Sequence, residues 1–436
     1  MDMIILGSVV LLGFYMAWNI GANDVANSMA DAVGSKALTL KQAVIAAGIC
    51  EFAGAVLVGS HVADTVRKGI VDPEVLAHLP GMVPSEAATL FVIGMASALL
   101  AAAIWLNISS LTGMPVSTTH SIVGAVAGFG IVAAGFGAVN WIKMSQIVAS
   151  WFISPIVGGT MGFVIFTFIS KTILGSAQPV RAAEKITPFI VFFLALTVTM
   201  ATIYKGLKHI IKDVAWLTDN NTLLIAFAVA IISAVLSKFY LHRKLADKAG
   251  LSIAKQLELV EQIFVPMVII SSCSVAFAHG SNDVANAVGP LSAVVSILHT
   301  GTVAMRVGVP FWIMVLGGAG IVVGLATYGY RVMATVGSDI TEITPSRGVA
   351  ADIATTVTVL ACSRMGLPIS TTHTLVGAIL GIGMARGFAG INRDVTKKIF
   401  GAWLITVPAA AVVSIILFMI GREFLFNVVH HLILAA

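Results

Sequence analysis

Apolar runs of bilayer-crossing character follow one another along almost the entire chain, and that constrains it more than any other feature. They lie at 3–22, 42–62, 88–110, 117–137, 146–170, 186–204, 221–241, 264–287, 309–330, 351–363, 367–385 and 399–421, with a shorter stretch at 424–435. A hydrocarbon core of about 30 Å takes roughly 20 apolar residues in a helix. Lipid supplies no partner for a backbone N–H or C=O, so such runs must pair their own backbone as helices. Only 10% of the 436 residues are charged, against about 25% in soluble domains. The chain cannot cover itself with polar groups, and the expected fold is an all-α polytopic membrane protein with about 12 membrane helices.

The net charge of +5 does not point to nucleic acid, because the basic residues sit in short loops between apolar runs, where they report topology. Cys50, Cys273 and Cys362 lie in or beside apolar stretches without a C-x-x-C pair and read as small buried residues. The first run lacks a basic leader and a cleavage site, so it reads as the first spanning helix rather than a signal peptide. The polar stretch 238–263 divides the chain into a first transmembrane repeat with extra helices, 1–237, a basic cytoplasmic linker, and a second repeat, 264–436. The later part of that linker reads as an amphipathic surface helix.

The two halves carry the same unusual blocks. Gly21-Ala-Asn-Asp-Val-Ala-Asn27 recurs as Gly280-Ser-Asn-Asp-Val-Ala-Asn286 with six of seven residues identical. Gly113-Met-Pro-Val-Ser-Thr-Thr-His-Ser-Ile-Val-Gly-Ala125 recurs at Gly366–Ala378 with nine of thirteen identical. Order and approximate separation are kept. Trp151 echoes Trp403, and Gly59 echoes Gly324. Chance matches between apolar sequences scatter over Leu and Val; paired Asn-Asp and Ser-Thr-Thr-His blocks require duplication.

Each second block places a proline and then three hydroxyl residues at the start of an apolar run, which is the signature of a helix N-terminus. The preceding run ends only a few residues earlier. This predicts a helical hairpin in each half, 88–137 and 351–385, whose tip reaches the membrane interior. If each hairpin enters and leaves on one side, the first half makes an odd number of crossings, and the second copy is inverted. With the N-terminus outside, inner segments hold 16 basic residues and outer segments 8, as the positive-inside rule requires. Lys205, Lys208 and Lys212 run against that bias.

Asp24 and Asp283 end long apolar runs, where an unpartnered charge costs at least about 2.5–3.5 kcal/mol at the bilayer centre. An isolated aspartate there reads equally well as an interfacial helix cap; the recurring asparagines argue for a site. Asn27 and Asn286 lie four residues after Asn23 and Asn282, on one face of a helix. Carboxylates, amide oxygens and freed carbonyls make a hard-oxygen set suited to sodium. Glu51, within the second run, is a candidate for a third cation site or a gate; Leu316 stands at its counterpart. Ser117, Thr118, Thr119, Ser370, Thr371 and Thr372, with Asn23 and Asn282, form the anion side. Helix starts offer unpaired N–H groups and partial positive charge to a tetrahedral oxyanion. Their plainer reading is capping and packing. No large basic cluster is present, so co-bound sodium would supply the compensating charge; Arg364, matched by Leu111, is a lesser contributor. His120 and His373 read as structural, and the glycines of 124–137 and 317–324 as close helix packing.

These blocks resemble the PiT family of inorganic phosphate transporters, some of whose wider relatives carry sulfate. The resemblance runs from Met1 to about Gly421. It implies an inverted repeat, symport of phosphate with Na⁺ or H⁺, motif aspartates at Asp24 and Asp283, hairpin hydroxyls at Ser117–Thr119 and Ser370–Thr372, and a homodimer. The expected activity is therefore a secondary symporter carrying inorganic phosphate with sodium across the cell membrane, with sodium as coupling ion and no other cofactor. The alternatives are a proton-coupled phosphate or sulfate carrier, with Asp24, Asp283 or Glu51 titrating, and an anion channel or receptor. An enzyme is not expected: Ser117 and Ser370 lack a base and its orienting partner, and no H-E-x-x-H motif occurs.

Overall fold

The computed structural model describes residues 2–59, 70–71, 82–203, 219–302, 308–364, 370–387 and 390–435. Lys205, Lys208, Lys212, the second hairpin tip at 365–369 and the side chain of Arg364 lie outside them. The described regular structure is helical apart from one isolated bridge between Val71 and Val139.

The first polar block does not terminate its run. Helix α1 (Asp2–Ile20) continues through a π-helical turn, Gly21–Val25, into α2 (Ala26–Gly34). The chain then turns through Lys36 at φ 60. Helix α3 (Leu40–Val58) starts on a capping box, in which the Thr39 hydroxyl accepts from Gln42 N and the Gln42 side chain accepts from Thr39 N. Helix α4 (Pro84–Leu111) opens with proline in its first turn, where a missing N–H costs nothing. It is followed by α5 (Thr118–Ala134) and α6 (Trp141–Ile169), the latter capped by Asn140. Two further helices, α7 (Pro179–Thr202) and α8 (Asp219–Leu245), complete the first half.

The second half repeats the order. Helix α9 (Ile253–Asp283) passes with a break at Val284 into α10 (Ala285–Thr300), so both polar blocks sit inside long helical segments. The sequence reading of a block at the end of a run is corrected here. An isolated polar triplet interrupts hydropathy without breaking a helix whose neighbours supply partners. Then come α11 (Phe311–Ala334), α12 (Pro345–Arg364), α13 (Thr371–Ala385) and α14 (Arg393–Ala435). Of the polar stretch 238–263, α8 and α9 take all but residues 246–252. The predicted amphipathic helix is the first turns of α9, where Gln256 is buried and its amide donates to Ala249 and Leu251 carbonyls. The apolar stretches 399–421 and 424–435 are one helix of 43 residues, ~65 Å long at 1.5 Å per residue.

Among the described residues, nine helical segments are long and apolar enough to cross a membrane. Helices α5 and α13 are shorter apolar helices, and α12 completes the second hairpin. The hairpin arm α4 has 83% of its apolar window buried inside the protein, against 17% for α8. The hairpin arm α4 is therefore a core element, and α8 lies on the outside of the helix assembly.

The halves pack on one another in matching ways. Helix α5 of the first half lies on α14 with Gly124 against Val407, and α13 of the second lies on α6 with Gly377 against Pro155. A Cβ on Gly124 would come 2.5 Å from the Val407 carbonyl oxygen, and one on Gly377 would come 2.4 Å from that of Pro155. Each hairpin is thus seated on a helix of the other half.

Candidate functional site

The π turn of the first half is wholly buried. A Cβ on Gly21 would stand 1.8 Å from the Ile321 carbonyl oxygen, so only glycine lets the two backbones meet there. In the second half Gly280 lies as close to α3, where a Cβ would come 2.3 Å from the Glu51 carbonyl oxygen. These contacts bring both polar blocks to the centre of the protein.

Asn23 holds the tip of its own half's hairpin. Its amide donates to Ser110 Oγ at 3.1 Å and to the Met114 carbonyl at 3.0 Å, and its oxygen accepts from Val116 N at 3.0 Å. The tip bends through Gly113 at φ +69, a conformation that costs other residues about 1–2 kcal/mol. Asn23, expected on the anion side, has both ends of its amide engaged in shaping the loop. Asn282 is half-buried and donates to Asp283 Oδ1 at 2.6 Å.

Asp24 joins the two hairpins. Its Oδ2 accepts from Thr118 N, in the first turn of α5, at 3.1 Å, and its Oδ1 accepts from Thr372 Oγ1, in the first turn of α13, at 2.9 Å. Asn27 donates across the halves to Thr372 Oγ1 at 3.1 Å, and Asn286 donates reciprocally to Thr119 Oγ1 at 3.3 Å. The two Ser-Thr-Thr helix starts and the two acid–amide blocks thus form one centre. Within it, Ser117 and Ser370 cap their helices, each accepting from the N–H three residues on at 3.3 Å. Thr118 Oγ1 is buried without a partner among the described residues, and Thr371 borders a small cavity of about 30 Å³ beside His279.

Glu51 reaches the same centre through His279. The imidazole Nδ1 is 3.1 Å from both Glu51 carboxylate oxygens, and Nε2 is 2.6 Å from Asp283 Oδ2. All three groups are buried. Asp24, His279 and Asp283 can each offer one ligand atom within 4.8 Å of the others. His279 was not picked out from sequence. The duplication drew attention to matched residues, and Ile20 stands where His279 would have its counterpart. Glu51 also lacks a counterpart, so the two residues that break the repeat meet each other.

A second acidic pair was missed for the same reason. Asp31 and Asp352 are 0% and 1% exposed and lie against each other. The hydroxyls of Ser271 and Ser272 donate to Asp352 Oδ2. Among the described residues neither Asp31 oxygen has a hydroxyl donor of the kind that serves Asp352. Pro290 and Leu99 stand at their repeat counterparts. Asp31 follows Asn27 by one helical turn, so the pair sits one level from the centre toward Lys36.

Behind the helix starts, the rings of His120 and His373 meet edge to face at 4.8 Å. His120 packs on Trp151 at 5.5 Å, and His373 stacks on Trp403 at 3.7 Å. Trp403 Nε1 donates to the Pro115 carbonyl of the first hairpin tip at 2.9 Å. One ring nitrogen of His120 and both of His373 have no partner among the described residues, and the rings pack the two hairpins against each other and against α6 and α14.

Four likenesses stand beside this geometry. The family profile described as Phosphate transporter family matches residues 20–414. A protein of Haemophilus influenzae described as a candidate phosphate permease is 44% identical over 418 residues, covering 96% of each chain. The chloroplastic Inorganic phosphate transporter 2-1 of Arabidopsis thaliana is 39% identical over 94% of this chain and 71% of its own length. A solved structure described as the sodium-dependent phosphate transporter superposes with a TM-score of 0.82 at 41% identity, covering 97% of this chain and 100% of that one.

Proposed function

Because the chain belongs to the PiT family of phosphate transporters, we propose that it is a secondary symporter that moves inorganic phosphate together with sodium ions across the cell membrane. The observation that carries this reading is Asp24, held at once by a first-turn N–H of α5 and a first-turn hydroxyl of α13. The carboxylate occupies the donors that an oxyanion would need. Sodium at Asp24 and Asp283, with Asn27, Asn286 and Glu51 contributing oxygen ligands, draws the Asp24 carboxylate toward the cation. That releases the helix starts, where Thr118, Thr119, Thr371 and Thr372 then meet phosphate. Asn23 and Asn282 act by holding the tip and the neighbouring carboxylate. Binding of either ion raises affinity for the other, the reciprocal coupling that symport needs.

The name of the solved relative supports sodium as the coupling ion, since that protein is described as sodium-dependent. The imidazole between Glu51 and Asp283 favours a second reading, in which a proton moves along Glu51, His279 and Asp283 in place of a sodium ion. Phosphate uptake into proteoliposomes with a sodium gradient at equal pH, and then with a pH gradient without sodium, separates the two. Uphill accumulation in either case excludes a channel.

The matched packing of the halves supports an inverted repeat, with the hairpins and motif helices moving as one body against the remaining spans. The distribution of basic residues supports an N-terminus on the outside. Labelling of single cysteines introduced at the start of α3 and in loop 246–252 from either side of sealed vesicles tests that orientation. Cross-linking in the membrane tests the homodimer implied by the family.

A further inference from the structure

An apolar crevice of about 760 Å³ opens between α6, α13 and α14, on the outer face of the protein. Ile156 and Phe163 of α6, Leu380 of α13, and Phe400 and Leu404 of α14 line it. Ile156, Phe163, Phe400 and Leu404 are all exposed. Pockets that take small ligands fall in the same size range, about 300–1,000 Å³. Along α14 the crevice runs from Thr396 to Leu404, ~12 Å at 1.5 Å per residue. This is close to one leaflet of hydrocarbon, about 15 Å.

One end is basic. Arg393, Lys397, Phe400 and Leu404 follow one another at helical spacing along a single stripe of α14. Arg393 and Lys397 are both exposed. On α6 the exposed side chains of Phe152, Ile156 and Phe163 form the facing wall. Asp394 lies three residues before Lys397, as its neighbour on the helix surface, and Lys398 adds a further exposed cation beside it. Glu342 is held elsewhere, 3.3 Å from Arg386 and from Arg347. Around Thr396, where the slot ends on α14, the exposed charged side chains are therefore three cations, Arg393, Lys397 and Lys398, against the one acid Asp394.

We infer that this crevice is a site for an anionic phospholipid, one acyl chain lying along Phe163, Phe400 and Leu404 with its phosphate paired to Arg393 and Lys397. A zwitterionic headgroup would bring its own cation to the same rim and gain less. Basic pockets between membrane helices on the cytoplasmic side select acidic lipids on this principle. The floor of the crevice is Trp151 and Trp403. Trp403 stacks on His373 and holds the Pro115 carbonyl, so the lipid braces the wall against which both hairpins pack.

The test is native mass spectrometry of the delipidated full chain with phosphatidylglycerol and phosphatidylcholine of equal chain length. Tenfold or greater preference for phosphatidylglycerol is expected. It is abolished in Arg393→Gln/Lys397→Gln, and binding of both lipids falls in Leu404→Trp, which fills the slot while keeping the basic rim. Equal retention of the two lipids, or a preference that survives the double substitution, overturns the assignment. So does efficient cross-linking of Phe400→Cys between two copies in the membrane, which would make the crevice a subunit contact.

Discussion

Asp24 accepts a hydrogen bond from the hydroxyl of Thr372, 348 residues further along the chain, at 2.9 Å. One carboxylate thereby ties the acid–amide block of the first half to the hairpin of the second. On the proposed reading, cation binding at that carboxylate changes the donors around the hairpin start and so couples a cation site to an anion site.

The aspartates are the first place to test this. Asp24→Asn and Asp283→Asn are each expected to lower sodium-driven phosphate uptake at least about a hundredfold, equivalent to ~3 kcal/mol, with the protein still folded by size-exclusion profile and helical content. An amide keeps the shape and loses the charge proposed to hold sodium. Full uptake by either variant would remove that residue from the site.

Thr372 is expected to act through its hydroxyl. Thr372→Val leaves Asp24 Oδ1 and the Asn27 amide without their partner, a loss of about 1–3 kcal/mol. Thr372→Ser keeps the donor. In uptake assays the valine variant should need roughly tenfold more sodium for half-maximal rate, and serine should restore the parental value. Equal behaviour of the two variants would assign Thr372 to packing.

The pair Asp31 and Asp352 gives a stability prediction. Two buried carboxylates in contact repel when both are ionised, and among the described residues Asp31 has no hydroxyl donor to offset its desolvation. Asp31→Asn should therefore stabilise the purified protein by ~1–3 kcal/mol in sodium-free buffer, read as a higher thermal midpoint. Asp352→Asn should gain less, because Ser271 and Ser272 already serve that carboxyl. A lower midpoint for Asp31→Asn would mean that its charge is compensated.

Gly113 should tolerate Asn and resist Val. At φ +69 a β-branched side chain costs about 1–2 kcal/mol or more, while asparagine visits this region readily. Gly113→Val is expected to slow uptake by displacing Met114 and Val116 from Asn23; unchanged uptake would show that the loop's curvature does not matter.

Much of this was legible in the sequence because lipid punishes exceptions. Hydropathy located the spans, and the repeated blocks located Asp24, Asp283 and both Ser-Thr-Thr starts, which the fold brings to one centre. Repetition was also what concealed the rest. His279 is opposite Ile20, and Glu51 is opposite Leu316, so neither has an echo, and the contact between them exists only in three dimensions. Asp31 and Asp352 are likewise unmatched, and only folding sets one against the other. The continuity of α1 through the π turn was hidden by Asn23, Asp24 and Asn27, which read as an interruption until their partners on α5 and α13 were known. Asn23 read as a ligand because its second role, gripping the loop at Val116, depends on a residue 93 positions away.

The most direct test of the central claim is phosphate accumulation in proteoliposomes of the purified protein, with an inward sodium gradient and equal pH on both sides. The account predicts uphill accumulation that stops when sodium is replaced by potassium and is absent in Asp24→Asn. Accumulation that ignores sodium and follows an imposed pH gradient would contradict it.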